Sequence, residues 1–115
     1  MFSPELKKGS IDLLVLSLLE ERESHGYELG KAIEARSGGR LVFRISSLYP
    51  VLSRLEERRW IRGRWVEKAG TRRRRYYQLT ASGGRALQRE RATWQAYVAA
   101  VDEVLEPAVT EPAGA

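Results

Sequence analysis

The chain contains no cysteine. That excludes disulfides, a thiolate nucleophile and cysteine-ligated zinc, and it accords with a reducing compartment. Stability must come from packing. There is a single histidine, His25, which reads as a capping or hydrogen-bonded residue rather than a metal ligand, because no cysteine or second imidazole accompanies it. No glycine-rich phosphate loop followed by Lys and Ser or Thr occurs, and no nucleophile stands paired with a base. The expectation is neither an enzyme nor a metal or cofactor protein. Long apolar runs are missing too. The most hydrophobic stretch, Ile11 to Leu19, is about half the length needed to cross a bilayer and includes Asp12 and Ser17, so it reads as a buried helix. Acidic residues follow it directly and no small-residue cleavage site does, so no signal peptide, no membrane partner and a cytoplasmic location are expected.

What the chain does have is charge in one place. Its 115 residues suit one modest domain, and 43% hydrophobic with 30% charged residues can bury a core beneath a soluble surface. The formal net charge is +5, yet from Arg54 to Arg75 ten basic residues stand against three acidic ones. That segment alone carries +7 and the remainder −2. Such concentration is the footprint of a face that binds a polyanion.

Helical periodicity places a first helix from Ser3 and Pro4, or from Ser10, to about Arg22, with Ile11, Leu14, Val15, Leu18 and Leu19 on one side and Leu13 and Leu16 on the other. An element apolar on two sides must touch two neighbours. A second helix is predicted from His25 to Arg36, stopped by Gly38 and Gly39, after a turn at Glu23 and Ser24. A connector follows, with a short strand through Leu41, Val42 and Phe43. The third helix is predicted from Ser46 or Ser47 to Arg59, its start set by Pro50, which is tolerated in a first turn. Leu48, Leu52 and Leu55 point inward there, and Ser46, Pro50, Ser53 and Glu57 outward, flanked by Tyr49 and Arg54. A hairpin is predicted with strands Gly63 to Lys68 and Arg72 to Leu79 around Ala69, Gly70 and Thr71. Thr80 caps a final helix to Leu105, ended by Pro107, along which Leu87, Trp94, Val98, Val101 and Leu105 form an apolar stripe widened by Tyr97 and Val104. The order predicts a mainly α fold with a β-hairpin wing: a winged helix-turn-helix domain over residues 1–80, a dimerisation helix over 81–106 and a disordered tail over 107–115.

The segment His25, Gly26, Tyr27, Glu28, Leu29, the run Ser47 to Glu56 and the run Arg72 to Thr80 resemble the PadR family of bacterial transcriptional regulators, of the short-tailed type. The resemblance covers roughly residues 9–105. It departs mildly at Ser46 and Ser47, where the family more often has Gly or Ala followed by Thr. It implies a homodimer whose third helices enter successive major grooves, whose wings lie along phosphates and whose final helices form the interface. It also implies a repressor released by an effector.

On that reading Ser46, Ser47, Tyr49, Pro50, Ser53 and Arg54 face double-stranded operator DNA, Arg54 being able to contact guanine with two hydrogen bonds. Arg72, Arg73, Arg74 and Arg75 supply phosphate contacts. If each subunit neutralises ~3 to 4 phosphates, log affinity falls with log salt at a slope of about −5 to −7. Tyr27 and Lys31 resemble family positions that touch the DNA backbone, although a tyrosine there is as readily a core residue. Leu14, Leu18, Trp94, Tyr97, Val98, Val101 and Leu105 are candidates for a dimer interface or for a pocket taking a small planar apolar effector. Trp60 and Trp65 are expected in the domain core. The competing reading is a winged-helix interaction module without specific DNA readout.

Overall fold

The computed structural model describes residues 2–67, 70 and 72–108. Both anticipated helix starts operate, on separate helices. Ser3 caps α1 (Pro4–Lys8), its hydroxyl accepting from the Leu6 N–H at 3.3 Å with Pro4 in the first turn. Gly9 and Ser10 then lead into α2 (Ile11–Glu21). Val15 and Leu16 lie on different sides of α2 and both are fully buried, so the helix sits within the core.

The strand expected at Leu41 to Phe43 does not form. The third strand is instead β1 (Ser24–His25), where a turn was expected; it is too short for any alternation to show. It leads straight into α3 (Gly26–Arg36), closed by a capping box. The Glu28 N–H donates to His25 Nδ1 at 3.2 Å, and the His25 N–H donates to Glu28 Oε1 at 3.2 Å. Leu41 and Phe43 pack on the core from the connector. The Val42 carbonyl accepts from Lys7 Nζ at 3.0 Å, an interaction directed toward α1 rather than toward a strand.

α4 (Ile45–Glu57) begins ahead of the predicted start, so Pro50 lies inside the helix rather than in its first turn. Proline there removes the i+4 donor of the Ser46 carbonyl. The loss falls on the exposed side of the helix. At the other end Arg59, with φ 61°, reverses the chain. β2 (Ile61–Val66) follows and pairs antiparallel with β3 (Arg74–Leu79), giving the sheet order β1-β3-β2. β2 thus starts earlier than predicted, because Ile61 is a core residue at 1% exposure. β3 starts later, leaving Arg72 and Arg73 ahead of it. Gly70 has the positive φ expected of the turn, 75°. Lys68, expected at the end of the first strand, Ala69 and Thr71, expected in that turn, and residues 109–115, expected in the tail, lie outside the described residues.

α5 (Ala81–Leu105) matches its predicted limits. Thr80 Oγ1 accepts from the Gly83 N–H at 2.9 Å and can donate to the carbonyls of Arg59 and Trp60, at 2.7 and 3.1 Å. Only Gly83, Ala86 and Leu87 of this helix are buried. Beyond them it projects outward, over a total helix length of about 38 Å, which makes the molecule 78 × 30 × 21 Å. Among the described residues, no helix is long and apolar enough to cross a membrane. The fold is a winged helix with an added C-terminal helix.

Trp60 is half-buried and packs on the core, as expected. Trp65 is not in the core: it is 55% exposed.

Among the described glycines the tightest approach is at Gly83, where any Cβ would overlap the Trp60 carbonyl and press on Leu79. Gly83→Ala is therefore expected to destabilise the protein by about 3 kcal/mol, read as a lowered denaturant midpoint, whereas Gly84→Ala, with room around it, should change it little.

Candidate nucleic-acid interface

Burial of Leu48, Val51, Leu52 and Leu55 orients α4, and what remains outside is Ser46, Ser47, Tyr49, Pro50 and Ser53, all exposed. The side chains on this face are small or flat, so another surface can approach closely. Arg54 is placed differently. Its guanidinium is bonded to Asp12 of α2, with Arg58 3.8 Å from the same carboxylate. Asp12 and Arg54 are distant in sequence, and nothing in the helical pattern of either signals the partnership. Their pairing ties the recognition face to α2.

The four arginines of the wing also divide. Arg75 turns inward: its guanidinium lies over Gly63 and bonds to Glu56 of α4, while the Gly63 N–H approaches the same carboxylate at 3.4 Å. Gly63 leaves room for that guanidinium, which a Cβ there would push aside. Beside it Tyr77 is buried, and burial raises its phenol pKa against the opposing pull of Arg75, so the ring stays neutral. Arg64, on the other face of the hairpin, donates to Glu23 at 2.5 and 3.1 Å, and this hydrogen bond holds its pKa further up. Arg72, Arg73 and Arg74 remain exposed.

Tyr27 belongs to the surface, not the core. It is 53% exposed, with Lys31 Nζ 4.9 Å and the Arg74 guanidinium 5.7 Å from its ring centre. Sequence reasoning missed three contributors. Arg44, Lys7 and Lys8 line a cleft of about 580 Å³ together with Ser47, Pro50 and Arg54, extending the cationic surface past the start of α4 toward α1. Their charges lie outside the segment that stood out in the count, so no local signal marked them.

The candidates for the second site are not all brought together. Trp94 lines an apolar groove of about 370 Å³ with Phe2, Leu6, Lys7, Arg40 and Leu41. Leu14 and Leu18 line a separate groove with Ile33, and Leu41 borders both. Tyr97 has its ring centre 6.4 Å from that of Trp94 and is 63% exposed. Val98 and Leu105 are exposed further along α5, and Val101 is half-buried.

The model of the transcriptional regulator PadR-like family matches residues 15–89, a span from within α2 through the start of α5 that takes in α4 and the wing. The chain belongs to the PadR family. Its fold matches a transcriptional regulator from Clostridium thermocellum with a TM-score of 0.84 and 27% identity, covering 92% of this chain and 100% of that one. A PadR family regulator from Eggerthella lenta matches with a TM-score of 0.79 and 32% identity, over 90% of this chain and 88% of that one. In sequence, protein X of Lysinibacillus sphaericus is 26% identical over 106 residues, 92% of this chain and 97% of that protein. The PadR relatives are transcriptional regulators rather than enzymes, and this chain is a DNA-binding regulator of transcription.

The Asp12 contact makes a prediction that a simple charge count gives only in part. Asp12→Asn frees Arg54 and removes a negative charge, so affinity for random duplex DNA should rise. The ratio of specific to random affinity should fall about fivefold, the equivalent of ~1 kcal/mol, because the helix loses its anchor. Competition gel shifts with selected and scrambled duplexes measure both.

Proposed function

We propose that this PadR protein is a cytoplasmic repressor that binds a palindromic operator as a homodimer. Residues 1–80 form the DNA-binding domain and residues 81–106 the dimerisation helix. The observation that carries this reading is the coexistence of a small, polar, exposed face on α4 with an apolar stripe on α5 left open to solvent, Trp94, Tyr97, Val98 and Leu105. A helix 25 residues long that buries only its first turns needs a partner for the rest, and a second copy of α5 meets that need with the same residues.

In the dimer each α4 enters a major groove. Ser46, Ser47, Tyr49, Pro50 and Ser53 approach base edges, with hydroxyls as donors or acceptors and the proline and tyrosine rings as apolar contacts. Arg54, engaged by Asp12, orients the helix and reads guanine only if DNA outcompetes that carboxylate. Tyr27 and Lys31 meet the sugar-phosphate backbone beside the exposed wing arginines Arg72, Arg73 and Arg74. Arg75 contributes as a strut between wing and helix. Repression is relieved by a small planar apolar effector that stacks on Trp94 and alters the separation of the two recognition helices.

Binding-site selection from random duplexes tests the reading. The expected product is an inverted repeat with half-sites about one helical turn apart, and enrichment of no sequence would instead indicate an interaction module. With about three free wing arginines per subunit, the slope of log affinity against log salt should be about −5, the shallow end of the range expected for three to four phosphates per subunit.

A further inference from the structure

Trp65 lies outside the buried core. A large aromatic ring 55% exposed on a hairpin gains little from burial. Its surroundings are nevertheless ordered. By strand alternation it shares a face with Gly63 and the buried Ile61, the face of the hairpin turned toward α4. Directly across the ladder is Arg75, anchored on Glu56 of α4, with its guanidinium 5.5 Å from the Trp65 ring centre. Arg73 lies at 4.5 Å from the same ring. The result is a connected series from α4 outward: Glu56, Arg75, Trp65, Arg73. Arg73 ends it, and among the described residues no carboxylate pairs with it. The series borders a cleft of about 330 Å³ between α3, α4 and the wing, whose walls include Tyr27 and Tyr49.

We propose that Trp65 is a positioning residue for DNA binding: its ring is the platform that holds the Arg73 guanidinium at the mouth of this cleft, where one backbone phosphate is seated. The inference rests on the DNA-binding role of the family. An arginine that precedes a strand has many rotamers, and fixing one on binding costs affinity. Stacking on an indole face restricts the guanidinium while leaving its N–H edge free to donate to phosphate oxygens. The exposed tryptophan then has a reason to be where it is. It is fixed to the recognition helix through Arg75 and Glu56, so the phosphate and the bases are met by one rigid unit.

The test uses the full chain and a short random-sequence duplex, with affinity read by fluorescence anisotropy across a salt series. Wild-type binding to that duplex reports the family function separately. Trp65→Ala and Arg73→Ala are each expected to weaken binding about fivefold and to make the dimer's salt slope shallower by about 2, one phosphate per subunit. The double variant should bind no worse than Arg73→Ala, because the ring acts only through that arginine. Trp65→Phe should keep most of the affinity, and Trp65→Leu, apolar without a π face, should lose it as Ala does. Unfolding midpoints of all five variants should match the wild type, which separates positioning from folding. Unchanged affinity and slope in Trp65→Ala, additive losses in the double variant, or equal rescue by Leu and Phe would each overturn the proposal.

Discussion

Leu48, Val51, Leu52 and Leu55 of α4 pack into one cluster with Val15 and Leu16 of α2, Leu29 and Ile33 of α3, and Ile61 and Tyr77 of the hairpin. Everything the molecule presents to DNA depends on that seating. Fully burying each such aliphatic side chain stabilises the fold by roughly 2 kcal/mol, and together they leave α4 one rotation about its own axis. The serines, Tyr49 and Pro50 face outward as a result. Rotating α4 enough to change that face would bring Ser46 or Ser53 into an apolar core with no partner for its hydroxyl.

Charge acts within this frame as geometry more than as stability. The pairs Asp12–Arg54, Glu56–Arg75 and Glu23–Arg64 are partly exposed, and such pairs contribute little free energy. They do decide which cations remain available. Four of the arginines in the +7 segment, Arg54, Arg58, Arg64 and Arg75, are engaged with carboxylates, and two of those, Arg54 and Arg75, brace α4 against α2 and against the wing. The exposed Arg72, Arg73 and Arg74 then stand on a wing whose angle to α4 is set by the Arg75 strut.

Much of this was legible in the sequence because it is local. Thr80 with Gly83, His25 with Glu28, and the leucine spacing of α4 are all interactions within one or two helical turns, and the helices lie close to where those signals put them. The errors are non-local. β1 is recognisable only from its pairing with Tyr76 and Tyr77, more than fifty residues along the chain. Trp65 was assigned to the core because alternation gives the face of a strand but not the point at which the core beneath it ends. Arg54 and Arg75 read as free charges because their carboxylate partners lie on other elements. The Pro50 rule failed for a physical reason too: tertiary burial of Leu48, Val51 and Leu52 outweighs the loss of one hydrogen bond on an exposed helix face.

The central claim is that α4 and the wing form one rigid DNA-binding unit, with α5 set apart from it. Amide hydrogen exchange on the protein alone and with a selected operator duplex tests this most directly. DNA is expected to slow exchange jointly in residues 44–54 and 72–77, with α5 beyond Arg89 as protected without DNA as with it. Protection confined to α5, or to only one of α4 and the wing, would contradict it.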